Sequence, residues 1–371
     1  MIGDMQRWTP NVASIIEHAK EFHPTKEVIS RMVSGDIHRT NYEEVCIRSR
    51  KLASALEKDG YKKGDVIATL ALNTYRHLEM YYGISGMGAI CHTLNFRLHP
   101  EQAVYIINHA DDKIIFCEVP FIPILEGLKD QLPCVEKYII LCDEADMPET
   151  GLKNAISYEE YINSGDENYV WAEMDDDAAC GLCYTSGTTG NPKGVLYSHK
   201  SNILHAQASL NGMPISSDET ILMVVPLFHV LAWGIPYYGP MNGSKLVMPG
   251  MQMEGEPLYD LIDREKVTLA FGVPTIWMGL LAYCRDNNKI LTSVRNTIIG
   301  GSALSLPTLQ EFDEVHDVNV IHAWGMTEMS PLGTVNTPTP EMENMSKDEK
   351  YAIQLKQGKP IYGVELKVVD D

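Results

Sequence analysis

The densest chemistry in this sequence lies in Tyr184-Thr-Ser-Gly-Thr-Thr-Gly-Asn-Pro-Lys-Gly-Val195. Ser186, Gly187, Thr188, Thr189 and Gly190 form an unbroken run of hydroxyl and glycine residues, with almost no apolar surface to bury. Glycine lifts the Cβ constraint, so successive backbone N–H groups can turn to one side and form an anion-binding concavity. Lys193 adds a mobile positive charge at its rim. Apolar residues precede the run at 178–183 and follow it at 195–197, which predicts strand, tight loop, strand, with the loop holding phosphate. The ordinary P-loop does not fit. It needs Ser or Thr directly after the lysine to reach magnesium, whereas Lys193 stands between Pro192 and Gly194. On composition alone the stretch also describes a surface turn.

Three further segments place unusual side chains at the end of an apolar run. Pro226-Leu-Phe-His-Val230 offers His229, which could hydrogen-bond a carboxylate or simply pack between Phe228 and Val230. Thr297-Ile-Ile-Gly-Gly-Ser-Ala303 ends in Gly300 and Gly301, which permit close approach of a planar ring, and in the small Ser302 and Ala303. His322-Ala-Trp-Gly-Met-Thr-Glu328 combines an aromatic face in Trp324, a hydroxyl donor in Thr327 and a hard oxygen ligand in Glu328. Taken singly, a core histidine, a glycine turn and a core tryptophan at Trp233 are the plainer readings.

The elements that must position these loops alternate. Helical spacing marks 11–22 and 41–60, with Asn41 as N-cap and Gly60 as terminator. Apolar runs at 27–32, 37–40 and 66–72 read as strands. Residues 73–92 read as helix then short strand, followed by helix 100–110, strand 113–117, helix 121–128 and strand 135–141. Beyond the glycine-rich loop come helix 199–210, strand 221–225, a helix starting at 233–238, strand 245–248, helix 258–264, strand 269–272, helix 274–284, and strands 297–299 and 318–322. Strand alternating with helix at this interval implies parallel sheets covered by helices. Ligands in open α/β sheets bind at the carboxyl ends of strands, so these loops could meet in one crevice. The acidic stretch 143–177 reads as a solvated boundary. It divides a first α/β lobe, 1–177, from a second, 178–357.

Length and composition set outer limits. A chain of 371 residues with 44% hydrophobic and 22% charged residues can bury a sizeable core as an ordinary globular protein. A net charge of −20 argues against non-specific nucleic-acid binding. No run approaches the roughly 18–20 apolar residues needed to cross a bilayer, so stable membrane insertion is not expected. The start Met1-Ile-Gly-Asp-Met-Gln-Arg7 lacks the order of a signal peptide, and eight scattered cysteines fit free thiols in a reducing cytoplasm. Cys180 and Cys183 form a C-x-x-C pair with no second pair or histidine cluster to make it a metal site.

The 184–195 stretch resembles the signature loop of the adenylate-forming superfamily, which comprises acyl-CoA synthetases, luciferases and peptide-synthetase adenylation domains. That resemblance extends over essentially the whole chain and implies a fold: an acyl-CoA synthetase-like large N-terminal domain of two helix-flanked sheet lobes, with residues 358–371 starting a β-barrel subdomain. It also implies roles. Thr185, Ser186, Gly187, Thr188, Thr189, Gly190 and Lys193 would bind ATP phosphates. Gly301, Ser302 and Ala303, with His322, Ala323, Trp324, Gly325, Met326 and Thr327, would form the adenine and α-phosphate site. His229, Trp233, Gly301 and Gly325 would line the acyl site, Trp233 being similar to the gate of the fatty-acyl tunnel in long-chain members. Thr185, Lys193, Thr327 and Glu328 would serve catalysis, and Thr185 with Glu328 would hold Mg²⁺. The family usually has tyrosine where Trp324 stands, so any hydrogen bond from that hydroxyl is lost.

The implied reaction is two-step: a carboxylate attacks the α-phosphorus of ATP, pyrophosphate leaves, and coenzyme A takes the acyl group from the adenylate. Charge builds on phosphate oxygens, so preorganised donors and a cation matter more than an acid or base. Residues 73–110 resemble medium- and long-chain fatty-acyl-CoA ligases, which implies an apolar acid; a short thioether or aryl acid fits the same subgroup. Alternatives are another adenylate-forming branch and a catalytically inactive nucleotide-binding protein. Members often form dimers, and they carry further C-terminal parts, including a small mobile domain, without counterpart in these residues. The expectation is therefore weak adenylation and almost no thioester formation by this chain.

Overall fold

The computed structural model describes residues 3–6, 8–185 and 190–369. Two sheets organise them, and the reason is visible in the strands, which are apolar on both faces. In Thr220–Met223, Ile221 packs into the central core and Leu222 into an outer one; Ile298 and Ile299 divide in the same way. In the other sheet Ile67 and Ile114 face the centre while Ala68 and Ile115 face outward. Alternation with period two thus commits each strand to two helix layers. The result is a helix, sheet, helix, sheet, helix stack.

The larger sheet has nine strands, ordered Lys359–Pro360, Leu332–Val335, Asn319–Gly325, Asn296–Ile299, Leu269–Gly272, Thr220–Met223, Lys245–Met248, Glu27–Arg31 and Ile37–Asn41. Its middle pairings are parallel and the pairings at both edges antiparallel. The smaller sheet runs Ala155–Ser157, Lys137–Ile140, Ile114–Cys117, Val66–Leu70, Ile90–Thr93, Ala179–Tyr184 and Gly194–Ser198, antiparallel only at the last pair. Sheet membership does not follow the expected division at residue 177. Strands 27–31 and 37–41 belong to the larger sheet and strands 179–184 and 194–198 to the smaller, so the two halves are interlaced.

Local signals hold where caps and breakers decide. Asn41 caps the Tyr42–Lys58 helix, its side chain accepting from the Glu44 N–H at 2.9 Å. Helix Pro100–Ala110 starts on its proline and ends on Asp111 in the left-handed region. Two expectations need correction. The acidic stretch is more than a solvated linker: Ala155–Ser157 adds an edge strand, and Ser157 caps helix Tyr158–Asn163, whose Glu159 binds Arg48 and Arg76. Trp233 does not start a helix. Residues 230–234 form a left-handed turn, and the helix Ile235–Asn242 follows Gly234. The helices Leu306–His316 and Lys347–Gln354 and the strand Leu332–Val335 were not foreseen in the sequence pattern. Residues 358–369 contribute one two-residue strand to the edge of the larger sheet. Among the described residues no helix is long and apolar enough to cross a membrane.

Candidate active site

The carboxyl ends of the large sheet's strands face the smaller sheet across a crevice holding two adjoining cavities. The first, about 220 Å³, is walled by His229, Trp233, Phe271, Gly300, Gly301, Trp324 and Leu332, among others. The second, about 210 Å³, is walled by His92, Asn95, Tyr184, Thr185 and Phe228. His229 and Thr327 border both. The first is lined mainly by apolar and aromatic side chains together with exposed backbone, and the second lies against the stem of the phosphate loop, so these two residues stand at the junction.

Glycines shape the first wall. Gly301 has φ +80°, and a Cβ there would meet Val273 at 3.1 Å; one on Gly300 would meet the Ala323 carbonyl at 3.1 Å and the Trp233 ring at 3.3 Å. The indole therefore lies directly on the glycine turn. It is carried by four successive non-glycine residues with positive φ, Val230 46°, Leu231 51°, Ala232 48° and Trp233 57°. Left-handed backbone costs about 1–2 kcal/mol per residue. Burial of Val230, Leu231 and Ala232 offsets it, and strain of this kind concentrates where a side chain must be held in one place.

The His229 loop is clamped from the smaller sheet. Asn73, buried at the end of the Val66–Leu70 strand, donates to the carbonyls of Met223 and Val225 at 2.8 Å each and accepts from the Leu227 N–H at 2.7 Å. Tyr81 donates to the Leu227 carbonyl and Thr93 to that of Phe228 at 3.2 Å. Asn73→Ala would orphan three buried backbone groups at once. We expect a loss of about 3 kcal/mol in a urea melt, from a cost of about 1–3 kcal/mol per unsatisfied group less relaxation. Asn73→Asp, which sets a buried carboxylate against the Met223 and Val225 carbonyls, should cost at least as much as Asn73→Ala.

The phosphate loop's stem is closed by Thr185, whose N–H donates to the Lys193 carbonyl at 2.9 Å and whose hydroxyl accepts from the Lys193 N–H at 3.3 Å. Ser186, Gly187, Thr188 and Thr189 lie outside the described residues. Gly190 and Lys193 are exposed at the rim. The strand leaving the loop reaches across the crevice: the Tyr197 hydroxyl donates to the Thr327 carbonyl at 2.5 Å. Trp324 packs over Gly333, whose Cβ position is 2.6 Å from the indole. His229 opens its ring to the cavities, yet the surrounding wall lowers its pKa, with Arg97 adding to the effect. It is therefore neutral at pH 7, and suited to hydrogen bonding.

Geometry thus brings together Thr185, His229, Trp233, Gly301, Ala323, Trp324, Gly325, Met326 and Thr327 around the two cavities. Ser302 and Ala303 are exposed beyond the wall. His322 is turned away: its Nδ1–H donates to the Leu355 carbonyl at 2.9 Å, on the outer face of the sheet. Glu328 is exposed, with no hydrogen bond or ion pair among the described residues. Its carboxylate and the Thr185 hydroxyl are each hard oxygen donors of the kind magnesium prefers, although Glu328 lines neither cavity. Sequence reasoning missed the Asn73 clamp, although an asparagine just past an apolar strand end was a usable signal. It also missed the buried pair His92 and Asp112, which nothing local marks.

Known proteins are similar to this chain in sequence and fold. Residues 16–371 match the family described as AMP-binding enzyme. The chain is 46% identical to a medium-chain-fatty-acid–CoA ligase of Ectopseudomonas oleovorans, covering 100% of this chain and 68% of that protein. It is 44% identical to a 3-methylmercaptopropionyl-CoA ligase of Ruegeria lacuscaerulensis, covering 100% and 69%. In fold it matches the anthranilate CoA ligase AuaEII crystallised with anthranoyl-AMP, with a TM-score of 0.86 at 23% identity over 100% of this chain and 68% of that one. The chain belongs to the AMP-binding enzyme family.

Proposed function

We propose that this protein is an AMP-forming acid–thiol ligase that activates an apolar carboxylic acid of medium or long chain with ATP and passes the acyl group to coenzyme A. The observation that carries the reading is the sharing of His229 and Thr327 by a cavity walled by Trp233, Phe271 and Leu332 and one that reaches the phosphate-loop stem at Thr185. An acid whose tail lies beside Trp233 in the first cavity, leaving the Gly300–Gly301 wall to a planar base, presents its carboxylate at that junction, beside the mouth of the phosphate loop. Neutral His229 orients the carboxylate; Thr185 and Thr327 donate to phosphate oxygens; Lys193 screens the leaving pyrophosphate. Gly300 and Gly301 let a planar base lie close to backbone opposite Trp324. Glu328 and Thr185 would hold Mg²⁺, which when bound neutralises phosphate charge. Residues beyond the cavity walls, Ser302, Ala303 and Gly190, act only through backbone position, and His322 has no contact role. Eight unpaired thiols are consistent with a reducing cytoplasm.

The relative from Ruegeria keeps a short thioether acid in contention. A series of straight-chain acids from acetate to palmitate separates the readings. While methylenes still enter the first cavity, each should tighten binding about fourfold, from about 0.8 kcal/mol per buried CH₂. The gain should stop where the cavity is full. A maximum at acetate or propionate would sink the fatty-acid reading and leave the short-acid one. Nucleotide binding with no acid-supported turnover would favour an inactive binding protein.

A further inference from the structure

A third cavity, of about 620 Å³, lies at the carboxyl ends of three smaller-sheet strands, Val66–Leu70, Ile114–Cys117 and Lys137–Ile140, against the turn between Glu27–Arg31 and Ile37–Asn41. It shares no wall residue with the two active-site cavities. Topology opens it. Val66–Leu70 and Ile114–Cys117 are parallel neighbours. The chain leaving the first enters helix Tyr75–Gly86 on the central face, and the chain leaving the second enters helix Ile122–Leu128 on the outer face. Connections that depart to opposite faces leave a crevice between them, and open α/β sheets take ligands there. Glu118, directly after the second strand, lines this crevice and is 2% exposed. The Leu72 N–H and the Thr74 hydroxyl stand near its carboxyl. Neither closes to hydrogen-bond geometry, and Thr74 Oγ1 is itself sealed without a partner. The Glu118 oxygens are not sealed in this way, so the little surface left to the side chain lies at its carboxylate. A buried carboxylate without a donor is costly, and one that opens on a cavity points to a ligand.

The charges around Glu118 select the ligand. Arg76 lines the same cavity, but each of its nitrogens is engaged: Nη2 with Asp143 and Glu159, Nε with Glu159 at 3.0 Å, and Nη1 with the Leu141 carbonyl at 3.2 Å. Asp36 enters from the turn, and Asp143 and Asp146 from the loop after the third strand. His38, stacked on Tyr75 at 3.9 Å, is kept neutral by burial and by Arg76 and Arg48. Tyr75, Cys117 and Cys142 are pushed up by burial and stay uncharged. The unbalanced charge in the walls is therefore negative, and a cleft of one sign concentrates the opposite one. We propose that this cavity is a second ligand site, for a small organic cation: a primary ammonium whose N–H groups reach Glu118 while its alkyl body lies against Met32, Val33 and Ile37. An anion would find carboxylates and no free guanidinium. A metal ion would find no group of three ligand atoms here among the described residues. The site stands independently of the ligase reading. Asn73, which clamps the His229 loop, lies between Leu72 and Thr74, so the new site and the active site share one segment.

The test titrates n-butylammonium into the protein, with n-butanol as the uncharged control, and reads binding by saturation-transfer NMR. Physiological salt screens the exposed carboxylates. At about pH 8 the ammonium should bind saturably, about tenfold or more tighter than the alcohol, and Glu118→Gln should remove that margin. Burial pushes the Glu118 carboxyl up to about 7 against the pull of Arg76. Its charge is therefore present above that value and lost as pH falls through it. The alkylammonium, like a lysine, stays charged throughout. Ammonium affinity should accordingly fall about tenfold between about pH 8 and about pH 6. Equal binding of amine and alcohol would overturn the proposal. So would an ammonium affinity unchanged in Glu118→Gln, which would show diffuse attraction to the acidic surface only. If Glu118→Gln does not fold, the unsubstituted protein decides: the tenfold fall supports the site, and an affinity level across that pH range contradicts it.

Discussion

Glu328→Gln should lower acid-dependent ATP–pyrophosphate exchange about 10²–10³-fold, the range seen when one preorganised group at a developing charge is removed. The amide keeps the side chain's shape and loses its charge. Glu328 is exposed and makes no hydrogen bond or ion pair among the described residues, so folding stability should move by less than about 0.5 kcal/mol. Function and fold are thereby separated in one variant. Its neighbour Thr327 is anchored by Tyr197 from the strand leaving the phosphate loop, which keeps the carboxylate's backbone in place. If Glu328 holds the cation, the magnesium concentration for half-maximal exchange rises and excess magnesium restores part of the rate. A rate loss indifferent to magnesium would assign Glu328 some other role.

Glu79→Ala should cost about 3–5 kcal/mol in a urea melt, the cost of breaking a buried ion pair by removing one partner. Glu79 is fully buried, accepting from Arg48 Nε at 2.7 Å and from the Tyr158 hydroxyl at 2.8 Å. Arg48 also binds both oxygens of Glu159 at 2.9 Å, and Arg76 joins Glu159 and Asp143. Three helices, Tyr42–Lys58, Tyr75–Gly86 and Tyr158–Asn163, are tied at this point. The second of them begins just after Asn73, so its displacement would loosen the His229 clamp as well. Burial raises the Glu79 pKa against the pull of Arg48, which makes Glu79→Gln the milder change. The melt of Glu79→Gln should therefore lie between those of the parent and of Glu79→Ala. A loss under about 1 kcal/mol in the alanine variant would show the network to be dispensable.

What the sequence made legible was local. The strands and helices around the phosphate loop follow from apolar runs and caps, and the loop's stem forms between Thr185 and Lys193 as its composition suggests. Strand order was not legible, because Glu27–Arg31 pairs with Lys245–Met248 through a choice that no neighbouring residue encodes. The left-handed turn was hidden for a different reason. Valine, leucine, alanine and tryptophan disfavour positive φ, so only tertiary packing around Leu231 and Trp233 could select it. His322 entered the site through the family resemblance of the 322–328 motif. Strand alternation puts it on the outer face with Val320, where its Nδ1–H meets the Leu355 carbonyl. His92 and Asp112 lie on different elements and meet only when the smaller sheet forms.

The most direct measurement is ATP–pyrophosphate exchange with and without a medium-chain acid, at fixed magnesium. The junction of the two cavities predicts exchange that depends on the acid and that collapses in Glu328→Gln. ATP bound tightly, with no acid from acetate to palmitate supporting exchange, would contradict the account.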